Sequence, residues 1–318
     1  MSRPIRAGVV GVGSIGKNHA RLYCDLPGVE FSAILDTNPE TAKAISDQYG
    51  AKSVTGLSEF AALVDVATVA TPTPNHYEIG KFLLNEDKHL LIEKPITETP
   101  KQAEELVKLA KERGVILQVG HVERFNPILS ALESRLTRPR FIEAHRLSTY
   151  PFRSVEIGVI LDLMIHDLEI ILHLVRSPVK SIDAVGVPVL SKGEDIANAR
   201  IRFQNGCVAN VTASRISPEK MRKIRVFQED AYLSLDYQNQ SAELYRLVNG
   251  AITREPVEVD KDEPLKRELQ SFVECARRGL QPVVSGAEAA AALALAIEIT
   301  EITKSGTGEL VSLDRSST

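Results

Sequence analysis

The sequence is poor in the residues that mark several specialised classes of protein. It has no tryptophan, and only three cysteines and three methionines occur among its 318 residues. Cys24, Cys207 and Cys275 lie far apart, and neither they nor the seven histidines show metal-ligand spacing. We therefore expect small buried thiols, a reducing compartment and no metal site.

Charge of one sign and long apolar runs are also missing. Lys and Arg number 38 against 42 Asp and Glu, so the net charge of −4 gives no electrostatic basis for binding nucleic acid. The longest apolar stretch, residues 287–297, is interrupted at Glu288 and is far shorter than the ~20 residues of a membrane span. No secretory-type apolar segment precedes the first predicted strand. These absences predict a cytoplasmic protein that binds neither nucleic acid nor membrane.

Residues 1–121 alternate between short β-rich runs and amphipathic helical patterns. The predicted strands are Ile5–Val10, Glu30–Leu35, Asp65–Ala70, Lys88–Ile92 and Val115–Val119, and the predicted helices are Lys17–Leu26, Pro39–Tyr49, Asn75–Asn85 and Pro100–Arg113. Apolar strands that alternate with helices are typical of a parallel sheet covered on both faces. We predict an α/β protein whose N-terminal domain, residues 1–121, is a Rossmann domain with a doubly wound parallel sheet.

Residues 122–318 follow a different pattern, because their strands are joined by hairpins. Asn205-Gly206 and Glu229-Asp230 each divide two alternating runs, and the first of these pairs is a strong hairpin signal. Helical patterns flank these strands, at 126–136, 159–175, 264–278 and 287–304. The pattern predicts a C-terminal α/β domain, residues 122–318, with an open, largely antiparallel sheet. Helices of the same domain cover only one face of such a sheet, so we expect a homodimer or homotetramer that buries the other.

A glycine-rich loop follows the first predicted strand directly. Its glycines allow a tight turn, close approach of the backbone to a pyrophosphate and close packing of helix on strand. The loop residues that we predict to bind a cofactor are Gly11, Gly13, Ser14, Ile15 and Gly16. Asp36 ends the second predicted strand, where a carboxylate accepts hydrogen bonds from both ribose hydroxyls and repels a 2′-phosphate. This arrangement predicts a dinucleotide site that favours NAD.

Three further residues are candidates for the chemistry. Lys94, in Glu93-Lys94-Pro95, ends a predicted strand, at the edge where open α/β sheets bind ligands. Asp162 and His166 are four residues apart in an apolar helical pattern and so share a face. An imidazole beside a carboxylate can take a proton from an alcohol. From these residues alone, a solvated loop lysine and a satisfied core histidine explain the pattern equally well.

Taken together, these motifs resemble the Gfo/Idh/MocA family of NAD(P)-dependent sugar and polyol oxidoreductases. The resemblance is carried by the glycine loop, Asp36, Thr71-Pro72-Thr73-Pro74-Asn75-His76, Glu93-Lys94-Pro95, Gly120-His121 and Asp162-x-x-x-His166. It covers nearly the whole chain and implies a Rossmann domain followed by an α/β domain whose open sheet mediates dimers or tetramers. It also implies a cis peptide bond before Pro95.

The resemblance also implies roles for single residues. Lys94 orients or polarises the reacting hydroxyl, His166 is the usual base, and Asp162 helps to bind the sugar; which of Lys94 and His166 is the essential base stays open. The residues that it places at the cofactor, besides the glycine loop and Asp36, are Thr71, Pro72, His76, Glu93 and Lys94.

Segments 16–21, 121–127 and 160–167 resemble one branch of the family, which oxidises the C3 hydroxyl of UDP-N-acetylglucosamine to a ketone. We therefore predict an NAD-dependent dehydrogenase that acts on a CH–OH group of a sugar nucleotide. The alternative is a dehydrogenase of a free sugar or polyol, such as an inositol or glucose. Two further alternatives are a transient oxidation during glycoside cleavage and a nucleotide-sensing regulator. Met164 departs from the family, because many members have glycine at that position.

A sugar nucleotide also needs partners for its own pyrophosphate, and arginine matches phosphate oxygens well. Arg124, Arg153 and Arg215 are the candidates, with Arg146 as a further available arginine. Tyr150 can stack on a sugar or uracil, and with Asp162 these residues form the predicted substrate site. Ordinary surface arginines and a core tyrosine remain the alternative interpretation.

Overall fold

The computed structural model describes residues 3–150 and 157–305, and the backbone of residues 311–312. The chain forms two compact units, each assembled from two segments: Met1–Phe125 with Glu263–Ala291, and Asn126–Asp262 with Ala292–Thr318. The α-helices are α1 (Gly16–Asp25), α2 (Pro39–Tyr49), α3 (Leu57–Leu63), α4 (His76–Asn85), α5 (Pro100–Arg113), α6 (Pro127–Glu133), α7 (Ile165–Val175), α8 (Pro264–Arg278) and α9 (Gly286–Ser305).

The first unit is built on a six-stranded parallel sheet. Its strands are β1 (Ile5–Val10), β2 (Val29–Leu35), β3 (Lys52–Val54), β4 (Val66–Val69), β5 (His89–Glu93) and β6 (Leu117–Gly120). Their order across the sheet is β3-β2-β1-β4-β5-β6, the doubly wound arrangement in which the order reverses beside β1. The predicted Rossmann sheet is confirmed, and the carboxyl ends of β1, β2, β4 and β5 bring the candidate residues to one edge.

Local sequence signals explain where several of these helices begin and end. Asn38 caps α2 by accepting hydrogen bonds from two backbone amides, and Pro39 occupies the first turn. Thr99 and Gln102 form a capping box at the start of α5, which ends at Gly114 in the left-handed conformation. These caps place the ends of α2 and α5 at the residues that the sequence predicts.

The first unit also includes α8, which corrects the predicted division into residues 1–121 and 122–318. Leu269, Phe272 and Val273 of α8 belong to the same buried core as Tyr23 of α1 and Val9 of β1. Residues 263–291 therefore pack with the Rossmann sheet, because the apolar face of α8 is buried there. The predicted domain boundary itself lies within a few residues of the structural one, which follows Phe125.

The second unit contains a nine-stranded sheet that is largely antiparallel. Its strands are β7 (Phe141–Leu147), β8 (Val179–Val187), β9 (Ile196–Phe203), β10 (Val208–Ser214), β11 (Met221–Phe227), β12 (Ala231–Asp236), β13 (Ser241–Val248), β14 (Ala251–Val257) and β15 (Val311–Ser312). Their order is β14-β13-β12-β11-β7-β10-β9-β8-β15, and only the pair β7 and β10 is parallel among the described strands. Both predicted hairpins, β9–β10 and β11–β12, are confirmed.

The two faces of this sheet differ in burial. Strand β7 alternates regularly, with Ile142 and Ala144 fully buried and their neighbours half-buried. Helices α6 and α7 pack on the sheet of this unit. On the opposite face, Phe141, Phe227, Tyr232 and Tyr245 form a continuous row of rings, with successive centroids 5.6, 5.2 and 4.3 Å apart. The aromatic row is half-buried and reaches solvent in the single chain.

The helix predicted over residues 159–175 is not uniform. Its first part, Ile160–Met164, is a π-helix, and α7 follows directly. Short π-helical turns are rare and are often found at functional sites. This one contains Asp162, and His166 lies in the first turn of α7.

Among the described residues, no helix combines the length and the apolar character that crossing a bilayer requires.

Candidate active site

The glycine loop has the geometry that its sequence predicts. Gly11 has a φ of +85°, which favours glycine, and its Cα lies so close to Ala70 that a Cβ would be 2.9 Å from that backbone. A Cβ on Gly16 would overlap the carbonyl oxygen of Gly11, so the start of α1 packs directly on the loop. Gly13 differs, because a Cβ there would meet nothing within 4 Å. The loop therefore leaves open space beside its middle glycine, and Ser14 and Ile15 are exposed next to it.

Asp36 lies beside this loop at the end of β2. Its Oδ2 accepts a hydrogen bond of 2.7 Å from the Val12 amide, and its Oδ1 accepts one of 2.8 Å from the Asn38 amide. A carboxylate oxygen can accept more than one hydrogen bond, so both oxygens keep capacity for ribose hydroxyls. Loop and carboxylate together fit the predicted dinucleotide, with space at Gly13 for the pyrophosphate and Asp36 for the ribose.

His76 ties together the loops that follow β4 and β5. Its Nε2 lies 2.7 Å from the Thr71 carbonyl oxygen, and its Nδ1 lies 2.9 Å from that of Pro95. Burial lowers the pKa of His76, against the effect of these two carbonyls. Only 1% of the residue is exposed, so its polar atoms face the protein. Thr71 and the exposed Pro72 follow the carboxyl end of β4, and direct cofactor contacts by these two residues and by His76 remain a prediction.

Glu93 is the last residue of β5 and Lys94 follows it, and hydrogen bonds fix both residues. The Glu93 Oε1 lies 2.9 Å from Nε2 of His19, which is fully buried in α1. The Lys94 amide donates to Glu93 Oε2 at 3.3 Å, and the Lys94–Pro95 peptide bond is cis, as the resemblance implies. A Cβ on Gly120 would come within 2.9 Å of the Glu93 carboxyl, so glycine at the end of β6 leaves room for that carboxyl in its present position.

Two buried titratable groups lie near Glu93 and Lys94: His121 is near Lys94, and Glu268 is near Glu93. Burial, reinforced by the nearby cations Lys94 and Arg124, lowers the pKa of His121 to about 3, so the ring is neutral. Burial and the neighbouring Glu93 carboxylate raise the pKa of Glu268 well above its ordinary value. Neither oxygen of the Glu268 carboxyl has a hydrogen-bond partner within the part of the chain that the structure describes. Burial and the Glu93 carboxylate therefore both favour the neutral form of the Glu268 carboxyl group.

Asp162 and His166 belong to the second unit, whereas Lys94 belongs to the first. Both side chains are half-buried, and the Asp162 amide donates to the Gly158 carbonyl oxygen at 3.1 Å. Met164, between them, is fully buried, so its side chain belongs to the core of the unit. The π-helical turn thus presents the predicted sugar-binding carboxylate, and the first turn of α7 presents the predicted base, each at a partly exposed position.

Three of the four arginines considered as phosphate ligands, Arg124, Arg146 and Arg215, have hydrogen-bond partners within the protein. Arg215 is 1% exposed, and its guanidinium donates to Asp195 at 2.8 Å, to the Ile157 carbonyl oxygen at 2.7 Å and to the Ser191 hydroxyl at 2.6 Å. Arg146 forms a buried ion pair with Asp167, at 2.8 Å. Arg124 is 7% exposed, lies in the first unit and donates to the Val283 carbonyl oxygen at 3.3 Å.

Tyr150 is half-buried, and Arg153 lies outside the described residues. Across residues 3–150 and 157–305, no group of three or more His, Cys, Asp or Glu side chains has the arrangement of a metal site. The three cysteines are free thiols. Cys207 and Cys275 are buried as expected, whereas Cys24 is exposed, because it lies on the solvent face of α1.

Sequence reasoning did not single out Glu268, although a signal exists. Leu265, Glu268, Leu269 and Phe272 follow the spacing of one helix face, so a carboxyl group stands on the apolar stripe of α8. A charge at such a position is costly unless it is paired or neutralised, which makes it a candidate for a special role. The support that His19 gives to Glu93 has no comparable signal, because the two residues are 74 positions apart.

Comparisons with known proteins agree with this geometry. Residues 5–121 match the description of an oxidoreductase family with an NAD-binding Rossmann fold, and residues 131–234 match the GFO/IDH/MocA C-terminal domain. UDP-N-acetylglucosamine 3-dehydrogenase from Acidithiobacillus ferrooxidans is 33% identical over 85% of this chain and 88% of its own. A solved structure of that enzyme has a TM-score of 0.91 at 31% identity, over 96% of this chain and 99% of its own. The scyllo-inositol 2-dehydrogenase (NAD⁺) of Bacillus subtilis is 24% identical over 96% of both chains.

Proposed function

Because the chain belongs to the Gfo/Idh/MocA family of NAD-binding oxidoreductases, and is a dehydrogenase acting on CH–OH groups, we propose that it oxidises a sugar nucleotide. The substrate that we propose is UDP-N-acetylglucosamine, with oxidation of its C3 hydroxyl to a ketone. The observation that carries this proposal is the 33% identity to a UDP-N-acetylglucosamine 3-dehydrogenase over 85% of the chain.

The cofactor is NAD, which fits the glycine loop and the Asp36 carboxylate described above. When bound, NAD accepts a hydride from the carbon that carries the hydroxyl. The residues of the chain must then manage the hydroxyl proton and the charge on oxygen. We assign proton acceptance to the imidazole of His166 and stabilisation of negative charge on oxygen to the ammonium of Lys94. Asp162 hydrogen-bonds the sugar in this proposal.

A free sugar or polyol, such as an inositol, is the second candidate substrate. The internal ion pairs of Arg146 and Arg215 favour it, because those guanidinium groups are committed to Asp167 and Asp195. The similarity to an inositol dehydrogenase over 96% of the chain supports the same alternative. A polyol has no pyrophosphate and therefore needs no arginine.

The test is an assay of nicotinamide reduction with NAD and UDP-N-acetylglucosamine, with myo-inositol and glucose in parallel. A second set includes a 2-oxo acid as acceptor, in case the reduced cofactor stays bound. Among the three substrates, only UDP-N-acetylglucosamine should give a product that mass spectrometry shows to be two hydrogens lighter. If only myo-inositol or glucose is oxidised, the family assignment stands and the proposed substrate is wrong.

The role of His166 predicts a specific kinetic defect. We expect His166→Ala to lower kcat by about 10²–10⁴-fold, because a general base contributes that much, with NAD affinity nearly unchanged. His173→Ala, on the same helix and paired with Glu133 at 2.8 Å, is the matched control. An equal loss of NAD affinity in His166→Ala would mean that the residue is structural.

We also propose that the protein forms a homodimer or homotetramer through the open face of the second sheet, and that it resides in the cytoplasm. The aromatic row on that face supports the proposed oligomer, because aromatic residues are enriched at protein–protein interfaces. The three free thiols support a reducing compartment.

A further inference from the structure

The start of the π-helical turn is held by a residue distant in sequence. The first amides of a helix have no partner within it and must find one elsewhere. Here the Val159 amide donates to the backbone carbonyl of Glu194 at 2.9 Å, and the Ile160 amide donates to the Glu194 carboxylate at 3.3 Å. One residue from the loop between β8 and β9 therefore accepts from two successive amides of the turn.

Two glycines allow this close approach. A Cβ on Gly158 would overlap the Glu194 carboxylate, and a Cβ on Gly193 would lie 3.2 Å from the Gly158 Cα. Glu194 itself is 8% exposed, so its carboxylate lies against the turn and is largely removed from solvent. A charge at that depth is stabilised by amide donors and by the positive end of a helix.

The next residue fixes the loop that carries Glu194. Asp195 is fully buried, and its Oδ2 accepts from the amides of Val189, Leu190 and Ser191 at 2.8, 2.6 and 2.9 Å. Its Oδ1 accepts from Arg215 at 2.8 Å. Burial acts to raise the pKa of Asp195, but the hydrogen bond from the Ser191 hydroxyl and those just described outweigh it and keep the pKa below its ordinary value. The carboxylate is therefore ionised, and the loop cannot shift without breaking several charge-assisted bonds.

Arg215 closes the arrangement on the other side of Gly158. Its guanidinium donates to the carbonyl oxygen of Ile157 at 2.7 Å, while its amide donates to the Asp195 carbonyl oxygen at 2.9 Å. The Gly158 carbonyl oxygen in turn accepts the amide of Asp162. Residues 157–160 are thus held from both sides, and a continuous set of hydrogen bonds links Asp195 to the backbone of Asp162.

We propose that Glu194 is a positioning residue for the oxidation: it fixes the π-helical turn that carries Asp162 and leads directly into the first turn of α7, which carries His166. The inference rests on the proposed function of those two side chains. Glu194 acts through the backbone, and Asp195 with Arg215 keeps it in place. A displacement of about 1 Å in a catalytic group can cost about 10²-fold in rate, so the start of this turn affects turnover from a distance.

A series of variants at position 194 separates reach from charge. Glu194→Gln keeps an oxygen at the same distance and should retain kcat within about threefold, whereas Glu194→Asp keeps the charge but withdraws it by one methylene. We expect kcat to fall about 10–100-fold in Glu194→Asp and in Glu194→Ala, with the KM for NAD unchanged. The matched control is Glu229→Ala, in an exposed turn of the same unit. Full activity in a folded Glu194→Ala would overturn the proposal, and so would loss in Gln with retention in Asp.

Hydrogen exchange supplies a readout that needs no turnover. The Ile160 amide, whose acceptor is the Glu194 carboxylate, should exchange about tenfold faster in Glu194→Ala than in the wild type and in Glu229→Ala. Unchanged exchange of this amide in a folded variant would overturn the positioning role, whatever the substrate is. If the wild type oxidises neither UDP-N-acetylglucosamine nor a polyol while this amide responds as expected, the proposed function fails and the holding role of Glu194 stands. If Glu194→Ala does not fold, the comparison of Gln with Asp decides by the same two measurements.

Discussion

Glu268 carries a carboxyl group in the interior of the first unit, next to the Glu93 carboxylate. Its pKa is raised by burial and by Glu93, so the folded protein binds this proton more tightly than the unfolded chain does. The stabilising contribution of the proton is complete below the ordinary pKa of 4.5 and is lost as the pH rises through the folded-state value. Glu268→Gln is neutral at every pH and keeps the shape. We expect its melting temperature to fall less than that of the wild type between pH 5 and alkaline pH.

The matched control for that prediction is Glu274→Gln on the same helix. The Glu274 side chain is 44% exposed and pairs with Arg278, so its replacement should leave the pH dependence of the melting temperature as in the wild type. Parallel curves for Glu268→Gln and the wild type would show that Glu268 is ionised in the folded protein.

We propose that the choice between NAD and NADP depends on Asp36. Its carboxylate accepts two backbone amides and retains capacity for a ribose. We expect Asp36→Ala to raise the Kd for NAD about 10–100-fold, as the loss of charged hydrogen bonds does, and to reduce discrimination against NADP. Titrations with both nucleotides measure this, and Asp47→Ala in the exposed part of α2 is the control. An unchanged ratio of the two affinities would remove Asp36 from the ribose site.

At this scale the sequence predicts residue types better than their partners. Gly11, Gly16 and Asp36 follow from a local motif, and the structure places them together because β1 and β2 are adjacent. Arg215 shows the limit of such reasoning. Its sequence position is compatible with a phosphate ligand, whereas its partner Asp195 is 20 residues away and is brought close by the pairing of β9 with β10. No local pattern announces that ion pair.

Among the elements, those with strong end signals are the ones that the sequence predicts best. Helices α2, α5 and α8 have the predicted bounds, each with proline in its first turn and glycine after its end. Strand β3 and helix α3 are absent from the prediction. Strand β3 has only three residues, which is too few to show periodicity. The π-helical turn also has no sequence signal, since Gly158 and Glu194 fix it through contacts made across the fold.

At the scale of the whole molecule, the open sheet face makes a testable statement about assembly. Tyr232 lies in the middle of the aromatic row, 5.2 Å from the ring of Phe227 and 4.3 Å from that of Tyr245. We expect the wild type to have at least twice the chain mass of 34.9 kDa in solution, and Tyr232→Lys to dissociate, because a buried lysine there would lack a partner. Light scattering after size exclusion measures both.

The control for assembly is Leu280→Lys, which places the same charge at an apolar residue of the first unit that is already 43% exposed. It should keep the mass of the wild type. A wild type of 34.9 kDa would contradict the proposed interface directly.

The sequence predicts two units, because its pattern changes along the chain from alternating helices and strands to strands joined by hairpins. The assignment of residues 263–291 is not, since α8 has the amphipathic pattern of any surface helix and its partners lie in α1 and β1. Local periodicity shows that a face is buried and leaves open against what.

The return of the chain to its first unit has a consequence for how the protein can be made and cut. Synthesis proceeds from the N-terminus, so the Rossmann sheet must wait, without α8 to cover part of its core, until residues 263–278 have followed the whole central segment. The second unit waits in turn for the residues after 291. Neither unit is one continuous stretch of chain, so a protease that cuts any single peptide bond must divide at least one of them. For the same reason, no truncation yields one complete unit free of residues from the other.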